Sequence, residues 1–444
     1  MTDDSYEPPE EEVLAGGTPT PRTTGWPDEL TDEVPANAYE VVRLPNFRRY
    51  LLGNVVGVLG MQMQTFALGY EIYERTGSKL ALGFVGLAQV IPVIALALVA
   101  GHVADHFSRK HVLMVCVTCL GLVSAALMVI SLRQAPVGLI YVCLTLNGVA
   151  RAFLQPAKGS LLPLIVPRSQ FPHAVTWHTG GFHLAAVVGP AIGGWVVAIT
   201  RLPALVYLLD LLSSAFFLFM LARIGIPTKA AASGALSLRT LAAGIAFLLR
   251  TRILLAAISL DMFAVLLGAA VALLPVFAKD ILVVGPEGLG WMRAAPAIGA
   301  LCTAFLIAHL PPMRKAGSML IWSVAGFGVA TIVFGLSRSF GLSLAMLFLT
   351  GALDNISVVI RHTLLQLSTP NEMRGRVAAV NGLFISSSNE LGAFESGLVA
   401  ELTTPTISVV SGGLGTIVVV AIIAFLAPEL RKYGRLGSEP QTGQ

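Results

Sequence analysis

Twelve apolar stretches follow one another along the chain, at about residues 48–73, 79–104, 109–131, 137–166, 170–199, 203–224, 252–279, 288–310, 315–336, 341–369, 373–402 and 406–427. A helix needs about 20 apolar residues to cross the hydrocarbon core of a bilayer, and each stretch reaches that length. Prolines punctuate the breaks, at Pro136, Pro167, Pro203, Pro286, Pro311, Pro312, Pro370 and Pro405; proline stops helices because it lacks an N–H and clashes with the preceding turn. A water-soluble protein with so large a core would need charge along the outer face of every helix. None of the stretches shows that pattern, and only 12% of the 444 residues are charged, against about 25% in soluble domains. The expected fold is an all-α integral membrane protein with twelve transmembrane helices.

Residues 1–44 break the pattern. The first 40 hold eleven acids and a single arginine among several prolines and glycines, the composition of a disordered acidic tail. It has no apolar core and no basic start, so it does not read as a signal peptide. The formal charge of +4 divides into −10 over residues 1–40 and +14 over the remainder. Lys and Arg mark cytoplasmic loops. With the N-terminus inside, the cytoplasmic segments carry eighteen of them and the opposite loops six, so both termini are expected in the cytoplasm of a multi-pass cytoplasmic-membrane protein. Cys116, Cys119, Cys143 and Cys302 all fall within apolar stretches and read as small core residues.

The longest cytoplasmic segment, residues 225–251, divides the chain six and six. Its later part puts Leu238, Leu241, Ile245, Leu248 and Leu249 near one helical face, with Arg239 and Arg250 flanking it, the pattern of an amphipathic helix on the inner leaflet. The expected organisation is a cytoplasmic tail at 1–44, a six-helix bundle at 45–224, a linker at 225–251, a second bundle at 252–428 and a cytoplasmic tail at 429–444. The two halves repeat. At a constant offset of 203 residues Gly148 meets Gly351, Lys158 meets Arg361, Pro167 meets Pro370, Gly189 meets Gly392 and Gly194 meets Gly397. With a small drift, Pro92 meets Pro296. Two six-helix repeats are the layout of transporters that rock two bundles around a midplane site.

Residues 101–110 read GHVADHFSRK. Gly101 lets its helix approach a neighbour closely. Asp105 stands at the membrane edge, within reach of Arg109, Lys110 or the positive N-terminus of another helix. In the fifth stretch, VVGPAIGGW carries Gly189, Pro190, Gly193 and Gly194, which combine close packing with a bend. These segments, with VARAFLQPAKGSLLP and RGRVAAVNGLFISSSNELGAFESGLVAEL, resemble the major facilitator superfamily, in the branch of the enterobactin exporters and the macrolide and multidrug efflux pumps. The loop signature of that superfamily is matched at Gly101, Asp105, Arg109 and Lys110; it is departed from at His106, where the family usually has Arg, and at Ser108, where it usually has Gly. The likeness extends over about residues 43–430. It implies the major facilitator fold, a latch between the Asp105 loop and the eleventh helix, and a fifth helix packed for an exporter cycle. The alternatives at this level are a loop that only anchors topology and glycines that only pack helices.

Ionisable groups inside the stretches each cost about 2.5–3.5 kcal/mol even on insertion scales, so each calls for a role. They are Arg151, Lys158, Asp210, Asp261, Arg293, Asp354, Arg361, Glu390 and Glu395. Lys158 and Arg361, equivalent in the repeat, read as a cytoplasmic-side basic pair. Arg151 falls mid-helix in the fourth stretch, where the resemblance places an arginine of many antiporters. Arg151, Asp210, Asp261, Glu390 and Glu395 are the candidate proton and substrate residues. A carboxyl that meets water in one state and a low-dielectric or cationic setting in the other can load and release a proton each cycle. Glu390 and Asp261 rank ahead of Glu395 and Asp210, and any of the four could instead be a fixed ion-pair partner. His173, His178 and His183 recur every five residues, turning about 140° per step on a helix, so they point to no metal site. There is no Gly-rich nucleotide loop with Lys-Ser/Thr, so no cofactor is expected and an ion gradient must drive the cycle. The reading is a monomeric, non-enzymatic secondary transporter in lipid, with no nucleic-acid partner. It exports an amphipathic small molecule (a drug, siderophore or similar metabolite) by proton antiport. The alternatives are uptake of a small nutrient and a non-transporting membrane sensor or scaffold.

Overall fold

The computed structural model describes residues 39–225, 238–309, 315–432 and 434, with the side chains of 98, 101, 102, 104–106, 168, 238–241, 371, 372 and 432 excepted. The acidic tail up to residue 38, the first part of the linker and residues 435–444 therefore lie outside the described residues. Among the described residues there is no strand, and twelve long helical segments run in chain order. They are α1 (Pro45–Thr76), α2 (Lys79–His106), α3 (Arg109–Leu132), α4 (Gly138–Ile165), α5 (Phe171–Thr200), α6 (Pro203–Ala222), α7 (Arg252–Leu267), α8 (Gly285–His309), α9 (Ala316–Leu336), α10 (Phe340–Leu367), α11 (Asn371–Leu402) and α12 (Pro405–Leu426).

Local chemistry fixes several helix starts. Pro stands in the first turn of α1, α5, α6 and α12, where its missing N–H has no intrahelical partner to lose. The side chains of Ser78 and Thr404 accept the N–H of Ala81 and Ile407 and so cap α2 and α12.

Three expectations are modified. The seventh helix is not continuous: after α7 the chain breaks at Gly268 and continues as a tight turn over Ala270–Leu273 and a wide one over Phe277–Ile281. Beside the break, the Leu267 carbonyl occupies the place a side chain at Gly412 of α12 would take. Eleven of the described segments are long and apolar enough to cross a membrane. The exception is α11, which carries Arg374, Arg376, Asn381, Asn389, Glu390 and Glu395 and packs against α2 and α7; of the six, Asn381 is buried and Arg374, Arg376 and Asn389 are exposed. Of the four cysteines, Cys116 and Cys143 are buried but Cys119 and Cys302 are exposed. In a membrane protein the outer helix surface is as apolar as the core, so apolar context alone does not separate the two.

The linker helix forms over Leu238–Arg250. Its predicted apolar face divides: Leu248 is 4% exposed, whereas Ile245 and Leu249 are 40% and 61% exposed. Gly244 sits against Val380 and the Arg376 carbonyl of α11.

The two six-helix repeats are visible in the packing. In the first half α1 packs on α5 and α6, α2 on α4, and α3 on α4 and α6; in the second, α7 packs on α11 and α12, α8 on α10, and α9 on α10 and α12. Two crossings join the halves, α2 with α11 and α5 with α8. The apolar core follows the same division. One cluster, with Phe66, Tyr73, Leu273, Met292 and Phe334, spans both halves at the end of the bundle where α1 and α11 finish. We call this the distal end. At the other, proximal end the cores are separate, one around Leu254, Leu320 and Leu364 and one around Phe47, Leu113 and Leu161.

Candidate functional site

A cavity of about 450 Å3 lies between the halves, lined from α1, α2, α4, α8, α9, α10, α11 and the seventh helix around its break. The backbone from Gly268 to Ala272 forms part of its wall. Non-helical backbone at membrane depth is tolerated where it lines such a space. The rest of the wall is mainly apolar, with Val85, Val265, Phe327 and Phe334, and carries four ionisable groups, Arg151, Arg293, Asp354 and Glu390. A larger apolar groove of about 890 Å3 runs along α3 and α4, but its walls include the exposed Val115, Leu122 and Leu146, so it faces outward from the bundle.

At the cavity wall, within the first half, Arg151 on α4 donates to the Gln89 Oε1 of α2 at 2.8 Å. Glu390 of α11 lines the same cavity from the opposite half, with no direct ion pair to Arg151. Glu395, one turn further, is not part of the cavity wall. Asp354 on α10 lines the cavity and also a small space shared with Asp261.

Other candidates sit elsewhere. Asp210 on α6 is buried inside the first half, where it accepts the Ser124 hydroxyl at 2.5 Å. Gln64 donates to the same hydroxyl at 3.0 Å, and Asn147 donates to Gln64 at 3.4 Å. Asp261 on α7 forms a buried ion pair with Arg361 on α10. Lys158, the repeat equivalent of Arg361, instead lies 5.4 Å from the Phe217 ring centroid and shares a small space with Asp210 inside the first half.

The glycine motif of α5 presents two faces. Cβ atoms at Gly189 and Gly193 would meet Gln62 and Phe66 of α1, within the same half, whereas one at Gly194 would lie 2.7 Å from the Pro286 carbonyl of α8, in the other half. Their repeat equivalents on α11 do the same: Gly392 lies on Val265 and Leu266 of α7, and Gly397 on Gly83 of α2. Pro190 and Gly193 have no counterpart on α11, yet both inter-half crossings reach backbone contact.

The distal end is also closed by polar contacts. Glu401 of α11 accepts the N–H of Lys79 at 2.8 Å and of Leu80 at 3.1 Å, and the Ser78 hydroxyl at 3.3 Å. Lys279 pairs with Glu74 at 2.8 Å, and the Tyr73 hydroxyl donates to Asp280. The predicted latch is at the proximal end. The side chains of Gly101 and Asp105 lie outside the described residues. Arg109 donates to the Ser160 carbonyl at 3.3 Å, and Lys110 to the Ala222 and Ile224 carbonyls at 3.0 and 2.7 Å, so both engage carbonyls of their own half.

Sequence reasoning singled out neither Glu401 nor Glu71, and counted Arg293 among the buried charges without a role. Glu71 is buried, accepting from the Tyr207 hydroxyl at 2.8 Å and pairing with Arg75 at 3.2 Å. An acid inside the first apolar stretch was its available signal. Glu401 gave none, because an acid at the end of a span is ordinary in sequence.

Residues 36–442 match the family described as transmembrane secretion effector. The chain is 25% identical over 396 residues to enterobactin exporter EntS of Shigella boydii serotype 18, covering 88% of this chain and 93% of that protein. The figures are the same for enterobactin exporter EntS of Escherichia coli O1:K1 / APEC. In three dimensions the chain is similar to a bacterial homologue of the iron transporter ferroportin in an inward-facing state, with a TM-score of 0.67, 17% identity and coverage of 88% of this chain and 100% of that one. It is similar as well to a POT family transporter in complex with a thioalcohol-conjugated peptide, with a TM-score of 0.69, 12% identity and coverage of 87% and 96%.

Proposed function

The chain belongs to the transmembrane secretion effector family of major facilitator transporters, and on that premise we propose that it exports an amphipathic small molecule across the cytoplasmic membrane by proton antiport. Its membership makes it a multi-pass membrane transporter. Export is supported by the likeness to enterobactin exporters, and a siderophore-like or drug-like cargo suits the mainly apolar cavity wall.

The observation that carries the mechanism is the placement of Glu390 and Arg151 on different halves, at the wall of one shared cavity. Rocking the halves changes the distance between the two groups and the access of water to Glu390. A proton taken up while Glu390 is away from Arg151 is given up when the cation returns. Gln89 orients the Arg151 guanidinium during the cycle. With both termini cytoplasmic, as the eighteen-to-six distribution of Lys and Arg supports, the distal end faces outward and the arrangement described is an inward-facing state. The latch at Gly101, Asp105, Arg109 and Lys110 would then hold the opposite, outward-facing state, and the linker helix would lie on the inner leaflet.

Inside-out vesicles test the proposal. An acid-inside gradient should drive accumulation of a siderophore or macrolide cargo, and a protonophore should abolish it. Accumulation that ignores the protonophore removes proton coupling; accumulation only in right-side-out vesicles makes the protein an importer.

A further inference from the structure

Among the ionisable groups of the central cavity, Arg293 has no counter-charge. It stands on α8, two turns from the distal start of that helix. Its guanidinium lies against α1 at Gly69, where a Cβ would come within 2.8 Å of Nη2. Its Nε is buried with no hydrogen-bond partner, and no carboxylate among the described residues pairs with it. Neither acid of the cavity wall, Glu390 or Asp354, pairs with it, and Arg361 is held by Asp261.

A guanidinium cannot shed its charge, and a charge inside a membrane protein is retained where it meets a partner or a ligand. The surroundings supply what an organic ligand needs. Phe334, Leu347 and Val271 line the same cavity as apolar wall, and Phe334 and Leu347 belong to the apolar cluster at the distal end. An arginine fork matches the planar geometry of a carboxylate with two parallel hydrogen bonds.

We propose that Arg293 is the anion-binding residue of the central cavity and that the cargo is an amphipathic organic anion, its charged group at Arg293 and its apolar body toward Val265 and Phe327. This rests on the reading of the cavity as the cargo site, but it concerns binding and not turnover or coupling. Arg151 does not fill the role, because Gln89 already accepts its hydrogen bond. In this arrangement the charged end of the cargo sits near the distal seal, and the apolar end faces the proximal opening.

The test uses the full chain in lipid nanodiscs, with binding read by equilibrium dialysis after subtraction of empty discs. The probes are dansylglycine and its methyl ester, which differ by one carboxylate charge. The parent should bind the acid about tenfold more tightly than the ester, as a charge-assisted hydrogen bond implies. Arg293→Gln should erase the preference while ester binding stays, and Arg293→Lys, which keeps the charge but not the fork, should keep part of it. Equal affinity for the two probes in the parent, no binding of the acid at all, or an unchanged preference in Arg293→Gln would each overturn the assignment. The parent comparison needs no variant, so a folding defect does not obscure the result. Because no gradient is applied, a failed anion preference is distinct from a failed export reading.

Discussion

The Glu401 carboxylate at the end of α11 accepts the backbone N–H of Lys79 at the start of α2, at 2.8 Å. The first N–H groups of a helix have no intrahelical acceptor and carry its positive dipole end, so a carboxylate there is a fastening. The two helices run antiparallel, since Gly83 meets Gly397 while Gly86 meets the Glu390 carbonyl. The loop after α2 is therefore at the end where α11 begins, the place the sequence motif assigns to the Asp105 latch.

Removing the Glu401 fastening should open the distal end. In a cysteine-free background with Thr65→Cys as a reporter on the cavity wall, Glu401→Ala should raise labelling by a membrane-impermeant maleimide from the outside several-fold. Glu401→Gln, which keeps an acceptor, should do so less. Labelling at the parental rate in both would mean that the glycine crossings hold the seal without it.

The two faces of the α5 motif should separate in their effects. Gly290→Leu acts where Gly290 meets Gly194 and the Pro190 carbonyl across the halves. It should favour the outward-open state and slow transport while thermal stability is kept. Gly189→Leu acts against Gln62 and the Leu59 carbonyl within one half, where overpacking costs about 1–3 kcal/mol, and should lower the melting temperature. If both substitutions change stability alike, the distinction between the faces is wrong.

The proximal latch gives the opposite expectation. Asp105→Asn removes charge but not volume, and Gly101→Leu adds bulk to α2 at the motif glycine. Both should slow transport without reducing membrane abundance. Two variants pumping at the parental rate would leave the loop as a topology anchor.

The intramembrane acids should divide into structural and coupling groups. Asp261→Asn leaves the buried Arg361 without its partner, a loss of about 3–5 kcal/mol, read as reduced yield and melting temperature. The double variant Asp261→Asn, Arg361→Gln should recover part of it. Glu390→Gln should fold normally and bind cargo, while uphill export loses its response to pH. Retention of that response by Glu390→Gln would move the coupling to another acid.

The membrane fold was legible because its cause is local. A span must be apolar along its whole length, so the twelve segments appear in the chain within a few residues of where the helices lie. The repeat was legible for a related reason: equivalent glycines such as Gly189 and Gly392 must each clear a neighbouring backbone, and that demand leaves a mark at each position. What a charge does inside the membrane was not legible. Asp210, Asp261 and Glu390 are all acids in apolar stretches, yet one accepts from Ser124, one pairs with Arg361 and one shares a cavity wall with Arg151. Which groups come together depends on which faces of distant helices meet, and that is set by packing between segments up to 240 residues apart, as with Glu390 and Arg151. Only the tertiary structure also gave Arg293 its meaning, because being unpaired is a property of everything around a residue. The close approach beside the break at Gly268 belongs to the same class: Gly412, far along the chain, leaves room for the Leu267 carbonyl.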